Sequence, residues 1–390
     1  MGFKKYFLLK ILLTLLFFSC SSNRFHKYPN KAPVREDHDQ KKFSKLPESH
    51  YSPKLWDFFD KTFVRPMTHF FLLETDNEAK NVNSVDEVPN SSWFRNRKGS
   101  REISTRELAK GSCEKIKTEI KAPWSVISGK PDGANPGFMI EDESGRRFML
   151  KFDDLREPEI ATAADVIGSR IYHAAGYNAP CNKIVYFNPD ILKISPEANK
   201  KNKLGEKVKM TDADIKEALK NTRKTSSGKL RATMSQFLPG KPLGPFRYHG
   251  TREDDYNDVI DHEDRRELRG AKVLASWVNH FDSRSQNSLD IWVSSKNSNK
   301  GYVKHYYLDF GDSFGSTWDW DGVSRRHGHS YYMDPGDIMQ DLFTFGFKER
   351  PWHKRTYGRT GEILGYYDVD HFEPGHWKPG YPNPAFEKGV

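Results

Sequence analysis

His280-Phe281-Asp282, with Asn287 shortly after, and Asp309-Phe310-Gly311 bracket the stretch whose reading decides the fold. Between them, residues 289–293 and 302–308 read as two strands joined by the polar turn 294–301. Antiparallel pairing returns the chain to where it began, so Asp309 is delivered beside Asn287. Upstream, residues 264–280 carry Leu268, Ala271, Leu274, Ala275 and Val278 at helical spacing. That helix ends at His280 and brings Asp282 to the same rim.

Further upstream, residues 148–152 alternate as a strand. Its period of two puts Phe148, Leu150 and Phe152 on one face and Lys151 on the other. The next helix shows a stripe of Ile160, Ala163, Ala164, Ile167, Ile171 and Ala174, with Glu159 at its first turn and Gly176 placed to end it. Residues 124–128 and 138–141 are strand-like, and the segment between them carries Gly129, Gly133 and Gly137. Residues 184–186 and 231–237 read as further strands. Between those two lies a polar, lysine-rich insertion, 197–228, with a short helix. Taken singly, Lys151 reads as a surface strand lysine and Glu159 as a first-turn residue favoured by the helix dipole. Their order along one chain is the stronger signal.

A strand lysine, a helix glutamate, H-x-D-x-x-x-x-N and D-F-G, in that order, resemble the protein-kinase signature set. The chain looks closest to atypical bacterial kinases such as the HipA-like group. The resemblance implies an α+β, two-lobed fold, with a small β-rich lobe over 123–240 and a larger helical and irregular lobe over 241–390. It implies ATP and Mg²⁺ as well. Lys151 would hold the α- and β-phosphates, with Glu159 or Glu157 fixing the lysine. Asp282 would be the base, and Asn287 and Asp309 would offer hard oxygens to Mg²⁺. Gly129, Gly133 and Gly137 would cover the phosphates, and the backbone at Gln236 and Leu238 would take adenine. No clear A-P-E segment follows Gly311, so the acceptor, a protein hydroxyl or a small molecule, stays open. The alternative from another class is a non-catalytic kinase-fold protein that binds or scaffolds.

The beginning of the chain speaks to location. Lys4 and Lys5 precede an apolar run to Phe18, followed by Ser19-Cys20. This pattern describes a secretory signal over residues 1–19 and resembles a bacterial lipoprotein box with Cys20 as the lipidated residue. Ordinary secretion and a retained anchor are the other two readings. Residues 20–53 are polar and basic, a tether between membrane and domain, and 54–122 form an aromatic-rich helical and loop extension. The net charge of +9 falls to about +6 without Lys4, Lys5 and Lys10. With both signs dispersed, this is a solvated surface and not a nucleic-acid footprint. Cys113 and Cys181 are the only other cysteines: one disulfide at most, and too few thiols for a zinc site. His305, His327, His329, His371 and His376 show no metal-ligand spacing. Arg325 and Arg326 read as solvated surface. Cys20→Ala is expected to release the protein from the membrane fraction, since an acyl chain contributes ~0.8 kcal/mol per buried CH₂. A mutant that stays membrane-bound and unprocessed would indicate a retained helix.

Overall fold

A computed structural model describes residues 45–348 with breaks, and also the short strands Thr356–Tyr357 and Ile363–Gly365. The breaks fall at 52–55, 57–58, 72–78, 83–86, 99–100, 116–119, 131–134, 154, 156–158, 203–205, 221, 281, 295–298 and 315–334. The signal, Cys20 and most of the tether lie outside the described residues, as do His327, His329, His371, His376, Arg325 and Arg326.

The architecture is α+β and two-lobed. In the first lobe seven strands form one sheet: β1 (Trp124–Gly129), β2 (Gly137–Glu141), β3 (Arg147–Lys151), β4 (Asn182–Phe187), β5 (Leu192–Lys201), β6 (Lys207–Lys209) and β7 (Leu230–Gln236). Their order is β4-β7-β3-β2-β1-β5-β6. Register explains the two faces. Phe138 sits opposite Leu150, Ile140 opposite Phe148, and Leu150 opposite Met234. With Val126, Phe152, Phe187 and Leu230 they make one buried apolar layer. The intervening row, Gly137, Lys151 and Thr233, faces the other way.

Helix α1 (Arg65–Phe71) and α2 (Thr105–Lys110) belong to the N-terminal extension. Ser104 caps α2, with Glu107 returning the bond to the Ser104 amide. Helix α3 (Ile160–Ala175) lies on the Lys151 side of the sheet, where the Thr233 hydroxyl donates to the Thr162 carbonyl. The lysine-rich insertion is more structured than its polarity implies. It supplies the second half of β5, the edge strand β6 and α4 (Asp212–Lys220), whose Ile215, Ala218 and Leu219 pack on the apolar layer. Three apolar residues at i, i+3 and i+4 suffice to seat a short helix when a preformed sheet receives them.

The second lobe holds α5 (Arg266–Trp277), the sheet β10-β9-β8 and α6 (Pro335–Phe343). The strands are β8 (Lys241–Gly244), β9 (Ser288–Ser294) and β10 (Gly301–Tyr307). The expected hairpin is present, with Ser288 opposite Tyr307 and Ser294 opposite Gly301. Leu268, Ala271 and Ala275 of α5 are buried in a separate core with Phe246, Tyr307 and Phe310.

The N-terminal extension is part of that core. Trp93 stacks on His305 at 3.4 Å and meets Phe246 and His262 edge-on, with the Arg265 guanidinium over its ring. Asn178 donates to the Ser92 carbonyl, and Arg97 to the carbonyls of His173 and Tyr177. Cys113 and Cys181 are joined in a disulfide that ties the segment after α2 to the start of β4. Trp93→Ala should cost about 3–5 kcal/mol in denaturant unfolding, as for a buried core aromatic. Trp56 is 60% exposed against 4% for Trp93, and Trp56→Ala should stay within about 0.5 kcal/mol. Equal small effects would detach the extension from the core.

Candidate functional site

Lys151 leaves β3 toward the cleft between the lobes. Its ammonium lies 2.7 Å from Asp309 Oδ1 and 3.4 Å from Asp165 Oδ2. The helix partner is therefore Asp165, not Glu159. Glu159 precedes the helix in a left-handed conformation, φ 71°, and its side chain is exposed. Glu157 lies outside the described residues. The expected stripe on α3 also proves rotated. Of the stripe, Ala164 is buried and Ile171 packs against the second core, but the buried face also takes Thr162, Asp165, Val166, Ser169 and Tyr172, whereas Ile167 is 47% exposed. A charged residue on the buried face of a helix is the signal that apolar counting passes over.

Asp165 is held by its neighbours. Its Oδ1 accepts from the Phe310 amide at 3.0 Å and from Asn182 Nδ2 at 3.1 Å, and the Ser235 hydroxyl in turn donates to Asn182. Burial works against the Lys151 ammonium, but the charges of Asp165 and Asp309 outweigh it and raise its pKa. Burial would likewise raise Asp309; Lys151 and Lys130 hold it below the usual carboxylate range instead. Lys151 and Asp309 are thus both charged at neutral pH, while burial and the Asp309 charge push the Asp165 carboxyl up against the pull of Lys151.

Asp309 adopts φ 50°, a conformation that Asp tolerates better than most residues. The next side chain, Phe310, is buried against α3, where a Cβ on Gly168 would come 2.6 Å from the Phe310 Cβ. Phe310 and Tyr172 rings lie 4.8 Å apart, and His280 completes the layer. Burial lowers the His280 pKa to about 4, so the ring is neutral. A carbonyl can only accept, so Nε2–H donates to Asp309 O at 3.2 Å. Nδ1 then accepts from the Tyr172 hydroxyl at 2.9 Å.

Asp282 and Asn287 are in direct contact. Asn287 Nδ2 donates to both the carbonyl and Oδ2 of Asp282, each at 2.8 Å, and the Leu308 amide donates to the Asn287 carbonyl. The hairpin thus sets Asn287 beside the residue that precedes Asp309. Arg284, which no spacing rule singled out, pairs with Asp282 Oδ1 at 2.9 Å. Asp312 is a third buried carboxyl beside His280, with Oδ2 lacking a hydrogen-bond partner among the described residues. Burial and the charges of Asp282 and Asp309 push its pKa well above the carboxylate range.

The glycine segment and hinge fare unevenly. A Cβ on Gly137 would lie 2.3 Å from the Leu150 carbonyl, so β2 can approach β3 only with glycine there. Gly129 ends β1, and Gly133 lies outside the described residues. The Gln236 amide already donates to the Cys181 carbonyl, which removes it as an adenine donor. Leu238, past the strand end, has no backbone partner among the described residues. His305 bonds Asp290 at 2.6 Å beneath Trp93 and is structural.

Among the described residues no three His, Cys, Asp or Glu side chains form a self-sufficient metal cage. Mg²⁺ does not ask for one: it is bound through one or two carboxylates together with substrate phosphates.

No protein-family model and no curated protein sequence matches the chain. Solved structures similar to parts of it include the following two. The Golgi casein kinase aligns over 55% of this chain and 58% of its own at 12% identity, TM-score 0.29. The Golgi casein kinase with Mn/ADP bound aligns over 62% and 66% at 12% identity, TM-score 0.29. The chain spans less than two thirds of either. Similarity of that order is loose and carries no assignment; Lys151, Asp165, His280, Asp282 and Asp309 are read on their own geometry. The assignment of the lysine's partner is open to measurement. Asp165→Ala should cost about 3–5 kcal/mol, as when one member of a buried pair is removed. Glu159→Ala should stay within about 0.5 kcal/mol. The reverse order would restore Glu159 as the partner.

Proposed function

We propose that the protein is an ATP- and Mg²⁺-dependent phosphotransferase of the bacterial cell envelope, anchored through a lipid on Cys20. The observation that carries this reading is the Lys151 ammonium between Asp165 and Asp309, with Asp309 following Leu308, whose amide bonds the Asn287 carbonyl, and Asn287 bonding Asp282. Phosphoryl transfer asks a protein for positioning and charge neutralisation more than for covalent chemistry. Lys151 supplies fixed positive charge for the phosphates. Asp282, held by Asn287 and Arg284, accepts the proton of an acceptor hydroxyl as its oxygen bonds to the γ-phosphorus and ADP departs. Asp309 and Asn287 would hold the divalent ion, which supplies charge neutralisation on the phosphate oxygens. The disulfide Cys113–Cys181 suits an oxidising compartment, in keeping with export. The acceptor is a hydroxyl of a protein or a small molecule.

Asp309→Ala is expected to abolish Mg²⁺-dependent ATP binding in calorimetry. Asp282→Ala should retain binding and lose transfer by about 10²–10⁴-fold, the range for a general base. If the wild-type protein binds no nucleotide with or without Mg²⁺, the reading fails and a non-catalytic binding or scaffold role takes its place.

A further inference from the structure

Lys130 is a second lysine in the same cleft, and the signature set does not include it. It lies just past β1, opposite Gly137, whose carbonyl accepts from the Lys130 amide at 2.9 Å. Gly137 in turn is paired with Lys151 across β2 and β3. Directly opposed residues on neighbouring strands point to the same face, so Lys130, Gly137 and Lys151 form one row on the cleft side. The middle position matters. A Cβ at Gly137 would sit 3.2 Å from the Lys130 Cδ, so the glycine leaves the space that the lysine stem crosses.

The amine at the end of that stem is under-used. Lys130 Nζ donates to the Asn135 carbonyl at 3.2 Å and, among the described residues, forms no ion pair. An ammonium has three donors, and a neutral carbonyl satisfies one of them. Other cleft cations are taken: Lys151 by two carboxylates, Arg284 by Asp282. Burial pulls the Lys130 pKa down, with the Asp309 charge opposing it. A partly buried cation without a carboxylate of its own is suited to an anionic ligand.

We infer that Lys130 binds the phosphate chain of the nucleotide from the sheet side, as a second cationic ligand beside Lys151. This rests on the phosphotransferase reading and deepens it. Two lysines on one row would favour a polyphosphate over a monophosphate, since each phosphate adds charge for the pair to neutralise.

Calorimetry on the full-length mature protein with Mg²⁺-ATP, Mg²⁺-ADP, AMP and adenosine tests this. Lys130→Gln should weaken ATP binding about ten- to a hundredfold, the size of one hydrogen bond to a charged group. Adenosine binding should be unchanged, the loss should shrink from ATP to AMP, and Lys130→Arg should restore most of the ATP affinity. Equal affinities for ATP in wild type and Lys130→Gln would overturn the inference while leaving the phosphotransferase reading intact. A uniform loss across all four ligands would also overturn it, assigning Lys130 to the support of its loop. Absence of ATP binding by the wild type would instead overturn the underlying reading.

Discussion

The contact on which the rest depends is the ion pair of Lys151 with Asp165 and Asp309. It joins β3, α3 and the segment after β10, three elements from distant parts of the chain. Charges taken out of water cost several kcal/mol each unless geometry and hydrogen bonds compensate. Here the Phe310 amide and Asn182 complete the Asp165 shell, so a backbone amide of the second lobe is bonded directly to a helix carboxylate of the first. A site built this way is positioned before any ligand arrives, which is what the proposed phosphoryl transfer would require of its protein.

Below the charges lies an aromatic layer that keeps them in place. Phe310, Tyr172 and His280 pack together, and the neutral imidazole links the Tyr172 hydroxyl to the Asp309 carbonyl. Gly168 lets the Phe310 ring approach the helix backbone. The left-handed turn at Asp309 then aims its carboxylate at Lys151 while its neighbour is buried. One residue looks into the cleft and the next into the core, which couples the geometry of the site to the packing of α3.

A second buried charge network has a different character. Asp258 bonds His262 and Arg265, Arg265 pairs with Glu267, and Asn81 reaches Glu267. Lys80 pairs with Asp264, which also holds Arg269. These groups are partnered to one another and anchor the N-terminal extension to the head of α5. Together with Trp93 they make the extension a structural component of the second core.

The sequence alone determined the order of the chemical groups, the hairpin between Asn287 and Asp309, and the face of β3 that carries Lys151. Each follows from a short-range rule: a period of two, a polar turn, an antiparallel return. The pairing of two cysteines was likewise limited by their number. Only the tertiary structure decided which carboxylate meets Lys151. Apolar counting on α3 placed Ile167 inward and left Asp165 unremarked, because the helix buries the polar face that serves the site. The strand pairing of β6 with β5 in the insertion and the packing of the segment 87–97 were equally hidden, since their few apolar residues are meaningful only against surfaces built elsewhere in the chain. Lys130 was hidden for the same reason: its closeness to Lys151 comes from strand register across β2, and register is a property of the assembled sheet.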